Sequence, residues 1–267
     1  MGTEWEAERY QRISAPQLAW GSRIVERIPL RGDEDVLDAG CGTGRVTRLL
    51  AERVPHGTVL GVDGSRRMVQ EASAQLADLA PRVRFAQADL TRLAPPEPVD
   101  VIVSTATFHW ILDHDGLFRR LFDALRPGGL LVAQCGGDGN IARTLGVAGA
   151  VAARAPYAEH LDGMPRSWYF AGPAATEEAL VRAGFVEVRA GLEEADTPFD
   201  TIDDAAEFLA TVVLRHHLER LPDALRARFA RDVATLRARD DPGGRVVLDY
   251  VRLNLEARRP AMEGPAG

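Results

Sequence analysis

The chain has 267 residues, 46% of them hydrophobic, enough for one large α/β domain with a small subdomain riding on it. Its formal net charge is −7, with Lys and Arg scattered among acids, so no basic field exists to attract a nucleic-acid backbone or an anionic membrane. The cysteines, Cys41 and Cys135, lie in apolar runs without a second cysteine at metal-ligand spacing, which fits a reducing cytoplasmic setting and no metal.

In chain order, the opening residues carry acids and no apolar core of signal-peptide length, and no later run reaches membrane-spanning length. From residue 35 to 136, short β-branched runs alternate with amphipathic stretches, the pattern of consecutive βαβ units in a parallel sheet. Strands are expected at 36–39, 58–63, 83–89 and 99–104, each ending near a polar residue. Val46, Leu49, Leu50 and Val54 recur at helical spacing between the first two, and Met68, Val69, Ala72, Leu76 and Leu79 between the next two. A helix bearing Leu117, Leu121, Phe122 and Leu125 follows the fourth strand, and Arg126-Pro127-Gly128-Gly129 turns it into a fifth strand at 130–135.

Beyond that the pattern loosens. Residues 136–173 are rich in Gly, Ala and Pro with isolated aromatics; 176–185 read as a short helix ended by Gly184, leading into a strand at 186–190. Two helical stretches fill 203–239, separated by Leu221-Pro222-Asp223. In the run 247–258, Val251, Leu253, Leu255 and Ala257 share one face and Arg252, Asn254, Glu256 and Arg258 the other, which predicts a last, edge strand. A Pro, Gly and Ala tail follows Arg259.

The strongest local signal is Val36-Leu37-Asp38-Ala39-Gly40-Cys41-Gly42-Thr43-Gly44, running directly into a helical pattern. A glycine-rich loop between a first strand and its helix lets backbone approach a ligand at the carboxyl edge of a sheet. Asp38 precedes the loop, Asp63 ends the second strand and Asp89 the third. A pyrophosphate would be repelled by Asp38, whereas S-adenosylmethionine presents an ammonium, a sulfonium, a ribose diol and an adenine amino group, all suited to acceptors. Gly44 serves either this ligand or helix–sheet packing, and Cys41, with no base beside it, is assigned no chemistry.

The string Asp38-Ala-Gly-Cys-Gly-Thr-Gly44, the acid Asp63, the triplet Ala88-Asp89-Leu90 and the Arg126-Pro-Gly-Gly129 turn resemble class I S-adenosylmethionine-dependent methyltransferases over residues 34–136. The resemblance implies a Rossmann-like α/β fold with a seven-stranded, mostly parallel sheet, its last strand antiparallel, and a helical cap over the acceptor site. One methyltransferase domain would span 1–267, with its core at about 30–136, 173–200 and 246–259 and cap inserts at about 137–172 and 203–240. It also implies that Gly40 and Gly42 receive the methionine portion, Asp63 the ribose hydroxyls and Asp89 the adenine amino group, with Tyr10, Asp38, Gly64, Met68, Ala88, Leu90 and Thr105 completing the cofactor contacts; the alternatives are that Asp38 bonds only loop amides and that Met68 packs in the core.

After the fourth strand comes Ser104-Thr105-Ala106-Thr107-Phe108-His109-Trp110, then Asp113. This segment, with Trp5-Glu6-Ala7-Glu8-Arg9-Tyr10, resembles the branch containing trans-aconitate 2-methyltransferase and insect juvenile hormone acid methyltransferase. It implies a small-molecule acceptor, with O-methylation of an organic acid as the first reading. A carboxylate acceptor needs no base; a phenol, amine or carbon acid would need one, for which His109 is the candidate, the alternative being a neutral structural histidine. Trp110 and Tyr169 are expected to wall the pocket, with Trp20 and Trp168 as further aromatics. Phe208, Val212 and His216 at i, i+4 and i+8 place His216 on an apolar helix face, facing either substrate or core, and Arg215 and Arg166 could clamp an acid. Methylation of carbon or nitrogen using His109, a catalytically inactive cofactor-binding partner, and a nicotinamide oxidoreductase are the competing functions; the last lacks the second half-sheet it would need. Oligomeric state stays open.

Overall fold

The computed structural model describes residues 15–165, 167–241 and 243–262, so the expectations on Trp5, Tyr10 and Arg166 lie outside the described residues. The chain divides into two compact units. The first holds Pro16–Asp138, Trp168–Glu193 and the chain from Arg252 onward; the second holds Gly139–Ser167 and Glu194–Val251.

The first unit opens with α1 (Ala15–Arg27) and proceeds through β1 (Asp35–Ala39), α2 (Arg45–Arg53), β2 (Thr58–Asp63), α3 (Arg66–Gln75), β3 (Val83–Gln87), β4 (Val99–Thr105), α4 (His114–Ala124) and β5 (Leu125–Gly136). The chain enters the second unit for α5 (Ala142–Ala152) and the short α6 (Ala158–Leu161), and returns for α7 (Pro173–Arg182) and β6 (Val186–Glu194). It crosses again for β7 (Thr197–Phe199), α8 (Ile202–Phe208), α9 (Arg215–Arg220), α10 (Asp223–Ala238) and β8 (Val246–Leu248), and ends on β9 (Val251–Arg258).

The sheet of the first unit has seven strands in the order β3-β2-β1-β4-β5-β9-β6. Pairs among β1 to β5 are parallel, and β9 lies antiparallel to β5, with Leu130 opposite Arg258 and Gly136 opposite Arg252. Both faces are covered, which is why these strands read as nearly continuous apolar runs. Alternate residues divide between two clusters: Leu37, Ile102, Leu131 and Leu255 pack with α4 and α7, while Val36, Val101, Val103 and Leu130 pack with α1 and α2.

Two expectations are corrected. Residues 247–258 are not one edge strand: β8 pairs with β7 in a separate two-stranded sheet, and β9 sits between β5 and β6, leaving β6 at the edge. The run breaks at Asp249, whose carboxylate leaves the strand pattern to accept the Arg143 and Thr144 N–H groups and the Thr144 hydroxyl at the start of α5. The predicted apolar face holds, with Leu253, Leu255 and Ala257 buried. On the opposite face Arg252 is also buried, its guanidinium 4.5 Å from the centre of the Trp20 ring.

The second correction concerns His216. A π-helical turn at Leu209–Val213, closed by the Leu214 N–H to the Leu209 carbonyl at 2.7 Å, inserts one extra residue into the helical repeat. The buried histidine is therefore His217, stacked on Phe229 at 5.7 Å and pushed down to about 4 by burial and by the neighbouring His216. His216 lies partly exposed beside Glu219, and Arg215 is spent on the same carboxylate at 2.9 Å.

Candidate active site

β1 runs into the glycine loop where the sheet order reverses, with β2 on one side and β4 on the other. Open α/β sheets leave a crevice at this point. Gly40, Gly42 and Gly44 all hold positive φ, at 88°, 52° and 85°, a region that disfavours any residue with a Cβ. Their surroundings differ. A Cβ at Gly40 would overlap the Thr107 side chain; at Gly42 it would meet nothing within 4 Å; at Gly44 it would press on Leu76 at 3.0 Å and Ala72 at 3.2 Å. Gly44 thus serves helix–sheet packing, while Gly42 borders open space.

The Gly40 and Cys41 N–H groups donate to the Val62 carbonyl at 2.7 and 3.0 Å, and the Gly42 N–H donates to Asp63 Oδ2 at 3.0 Å. Asp63 Oδ1 accepts the Ser65 N–H at 2.8 Å, so this carboxylate stitches the loop to β2 while each oxygen keeps a lone pair for a further donor. Asp38 is fully buried: Oδ2 accepts the Thr47 hydroxyl at 2.6 Å, and Oδ1 has no partner among the described residues. Burial pushes its carboxyl up to about 7, against the Thr47 hydrogen bond and helped by the charge of Asp63. Burial, with Asp38 and Asp63 nearby, also pushes the Cys41 thiol up, which keeps it protonated and inert.

Asp89 caps the 3-10 turn Leu90–Arg92, its Oδ1 accepting the Thr91 N–H at 2.9 Å and hydroxyl at 2.8 Å. Those bonds hold its carboxyl below the usual carboxylate range and leave Oδ2 without a partner among the described residues. The Ala88 N–H reaches the Asp63 carbonyl at 3.1 Å, the Leu90 side chain is buried in the core, and Gly64 is exposed with open space where a Cβ would stand. Met68 is half-buried on the first turn of α3, capped by Ser65. Thr105 ends β4, its carbonyl accepting the Thr107 hydroxyl at 3.0 Å.

The 3-10 turn Phe108–Trp110 follows β4, and its residues face differently. Phe108 is core, edge-on to Phe118 at 5.9 Å. His109 is buried, and its Nδ1 accepts the Gly136 N–H at 3.2 Å. A ring nitrogen that accepts carries no proton, so the imidazole is the Nε2–H tautomer, and Nε2 has no partner among the described residues. Burial, the Arg252 guanidinium and His114 push its pKa down to about 3.

Around it stands an aromatic wall: Trp110 at 5.2 Å and Phe170 at 5.7 Å from His109, and Trp168 at 5.8 Å from Trp110 and stacked within 8° on Phe170. Tyr169, the predicted wall residue, points elsewhere. In an extended segment successive side chains alternate, and Tyr169 packs on the core and edge-on to His114 at 4.6 Å while its N–H donates to the His109 carbonyl. Phe170 joins the wall by the same alternation, two residues on from Trp168, a spacing legible in the sequence only once this segment is known to be extended. Asp113 caps α4 through the Gly116 N–H at 2.8 Å.

A methyltransferase-domain family profile matches residues 36–129. The chain is similar to trans-aconitate 2-methyltransferase of Delftia acidovorans, with 31% identity covering 96% of this chain and 98% of that protein. It is likewise similar to trans-aconitate 2-methyltransferase of Methylobacterium nodulans, with 32% identity covering 96% and 98%. The chain belongs to the class I S-adenosylmethionine-dependent methyltransferases related to trans-aconitate 2-methyltransferase. A structure of Haemonchus contortus phosphoethanolamine N-methyltransferase 2 with S-adenosyl-L-methionine shares the fold, at TM-score 0.60, 20% identity and coverage of 94% of this chain and 56% of that one.

This methyltransferase therefore uses S-adenosylmethionine to methylate a small organic molecule. The residues present fit that cofactor on three counts. Asp38 Oδ1 is a buried acceptor awaiting a donor, Gly42 borders room for a ligand against bare backbone, and Asp63 and Asp89 keep acceptor capacity at successive strand ends. Among the described residues no cluster of His, Cys, Asp and Glu is placed to hold a metal ion, and no helix is long and apolar enough to cross a membrane.

Proposed function

We propose that the methyltransferase esterifies a carboxylate oxygen of a small organic acid with a largely apolar body. The observation that carries this is the Gly136 N–H bond to His109 Nδ1. It consumes the ring's basic nitrogen and leaves Nε2–H, a donor, so His109 is suited to hold an acceptor already ionised and unsuited to strip a proton from one that is not. Bound S-adenosylmethionine supplies an electrophilic methyl group on a sulfonium. A carboxylate brings its own lone pair, and no proton has to move. His109 Nε2–H would orient one carboxylate oxygen, and the faces of Trp110, Trp168 and Phe170 would exclude water from the acceptor's body.

In this reading Asp38, Gly40 and Gly42 hold the methionine portion, Asp63 the ribose diol and Asp89 Oδ2 the adenine amino group. Gly64, Met68, Ala88 and Leu90 border the adenine, Leu90 through its backbone since its side chain is core. Thr105 and Tyr10 complete the cofactor contacts. One catalytic domain spans the chain, with its core in Pro16–Asp138, Trp168–Glu193 and the chain from Arg252 onward. Two buried free thiols support a reducing cytoplasmic location. Methylation of carbon or nitrogen with His109 as base is the weaker reading, since the needed nitrogen is occupied.

The test is turnover with S-adenosylmethionine against a panel of carboxylic acids, phenols and amines, trans-aconitate among them. Ester products from acids are expected, at a rate flat between pH 6 and 9 when S-adenosylmethionine is saturating, so that the titration of unliganded Asp38 near 7 does not enter. A phenol or amine preferred over every acid, with a rate rising through the histidine range, would overturn the proposal.

A further inference from the structure

Between the glycine loop and the turn bearing His109 and Trp110 stands one side chain. Thr107 precedes that turn and accepts the Trp110 N–H on its carbonyl at 2.9 Å. It follows Ala106, whose φ of 55° bends the chain back and whose N–H is fastened to the Gln134 carbonyl at 2.7 Å. A non-glycine residue held at positive φ persists only where its surroundings over-determine it, so this backbone is firmly placed. The Thr107 hydroxyl lies 3.0 Å from the Thr105 carbonyl and 3.3 Å from the Gly40 carbonyl. Its single proton serves one of them at a time, and the shorter bond is within its own segment.

The contact with the glycine loop is therefore chiefly one of shape. The point where a Cβ would stand on Gly40 lies 2.6 Å from Thr107 Cβ and nearer still to the hydroxyl and methyl, so Thr107 fills the space that the missing side chain leaves. Two loops 67 residues apart in sequence interdigitate there. Methyl transfer demands that donor and acceptor be held to a fraction of an ångström, and packing on a rigid element is how such spacing is kept.

Resting on the reading that residues 40–44 hold the cofactor and the turn at 108–110 faces the acceptor, we propose that Thr107 is a positioning residue: its side-chain bulk, seated on Gly40, transmits the placement of the cofactor loop to the turn that carries His109 and Trp110. The bulk matters more than the hydroxyl. Thr107→Val keeps the wedge and loses the hydroxyl, Thr107→Ser keeps the hydroxyl and loses the methyl, and Thr107→Ala loses both.

Amide hydrogen exchange of the full chain, with and without S-adenosylhomocysteine, tests this without knowledge of the acceptor. In the unsubstituted protein the ligand should slow exchange in peptides covering both 38–45 and 105–112. In Thr107→Ala the slowing at 38–45 should remain while that at 105–112 falls at least threefold; Thr107→Val should preserve both, and Thr107→Ser should resemble Thr107→Ala. A general loosening of the turn raises exchange in the free protein but does not erase a ligand-dependent difference at 105–112 alone. Full ligand-dependent slowing at 105–112 in Thr107→Ala, rescue by Ser but not Val, or no slowing there in the unsubstituted protein would each overturn the proposal. No slowing at 38–45 would instead overturn the cofactor-loop reading beneath it.

Discussion

Replacing Asp38 with Asn probes the buried carboxyl at the head of the cofactor loop. In the folded protein its pKa stands at about 7, against an ordinary value of 3.8. One unit corresponds to about 1.4 kcal/mol, so holding the charged form at pH 8 costs the unliganded fold about 4 kcal/mol. The sign follows from proton counts. Between pH 3.8 and 7 the unfolded chain has released this proton and the folded chain has not, so this residue's contribution to stability declines as pH rises through that window. Asn keeps an oxygen for the Thr47 hydroxyl but places an amide N–H₂ where Oδ1 lacks a partner, returning about 1–3 kcal/mol of the gain. Asp38→Asn should therefore be more stable than the unsubstituted protein at pH 8 by about 1–3 kcal/mol, and the advantage should vanish or reverse by pH 5. Thermal melts across this range measure it, at roughly 2 °C or more per kcal/mol for a chain of this length. His109 and His217 titrate alike in both proteins and cancel in the difference. The same variant should bind S-adenosylhomocysteine about 10- to 100-fold more weakly, since a charged partner for the ligand's ammonium is lost. A pH-independent stability difference, or a variant that binds as well as the original, would refute the reasoning.

Gly40→Ala should abolish detectable S-adenosylhomocysteine binding by calorimetry, because the new Cβ overlaps Thr107 at a φ of 88°, whereas Gly42→Ala should fold normally and lose affinity only through backbone strain and ligand contact. Asp63→Ala should weaken that binding by roughly 1–3 kcal/mol and loosen the loop that its Oδ2 holds, visible as faster exchange at Gly42. With S-adenosylmethionine saturating, His109→Ala should lower kcat/KM for an organic acid by about 10- to 100-fold through one lost hydrogen bond to a charged group, and leave the pH–rate profile flat above pH 6, because a ring with a pKa of about 3 does not titrate there and the bound cofactor keeps Asp38 charged. Loss of a pH-dependent limb in that variant would mark His109 as a base after all.

Local chemistry made much of this protein legible in its sequence. The runs of β1 to β4, the glycines at their turn and the acids Asp63 and Asp89 at successive strand ends are short-range features, because period, turn geometry and chain direction act over a few residues. The apolar face of β9 and the breakpoint at Pro222 belong to the same class. Tertiary structure decided what lies against each face. Alternation in residues 251–258 showed one apolar side but not that β6 would pair outside it, and helical spacing through residues 208–216 could not register the π turn that brings His217 inward instead of His216. The chemistry of His109 hangs on a backbone N–H 27 residues away, the fit of Gly40 on a threonine 67 residues away, and the unpaired oxygen of Asp38 on complete burial. Periodicity records how one element divides apolar from polar; which donor reaches which ring nitrogen, and which side chain fills which gap, arises only when distant elements are brought together.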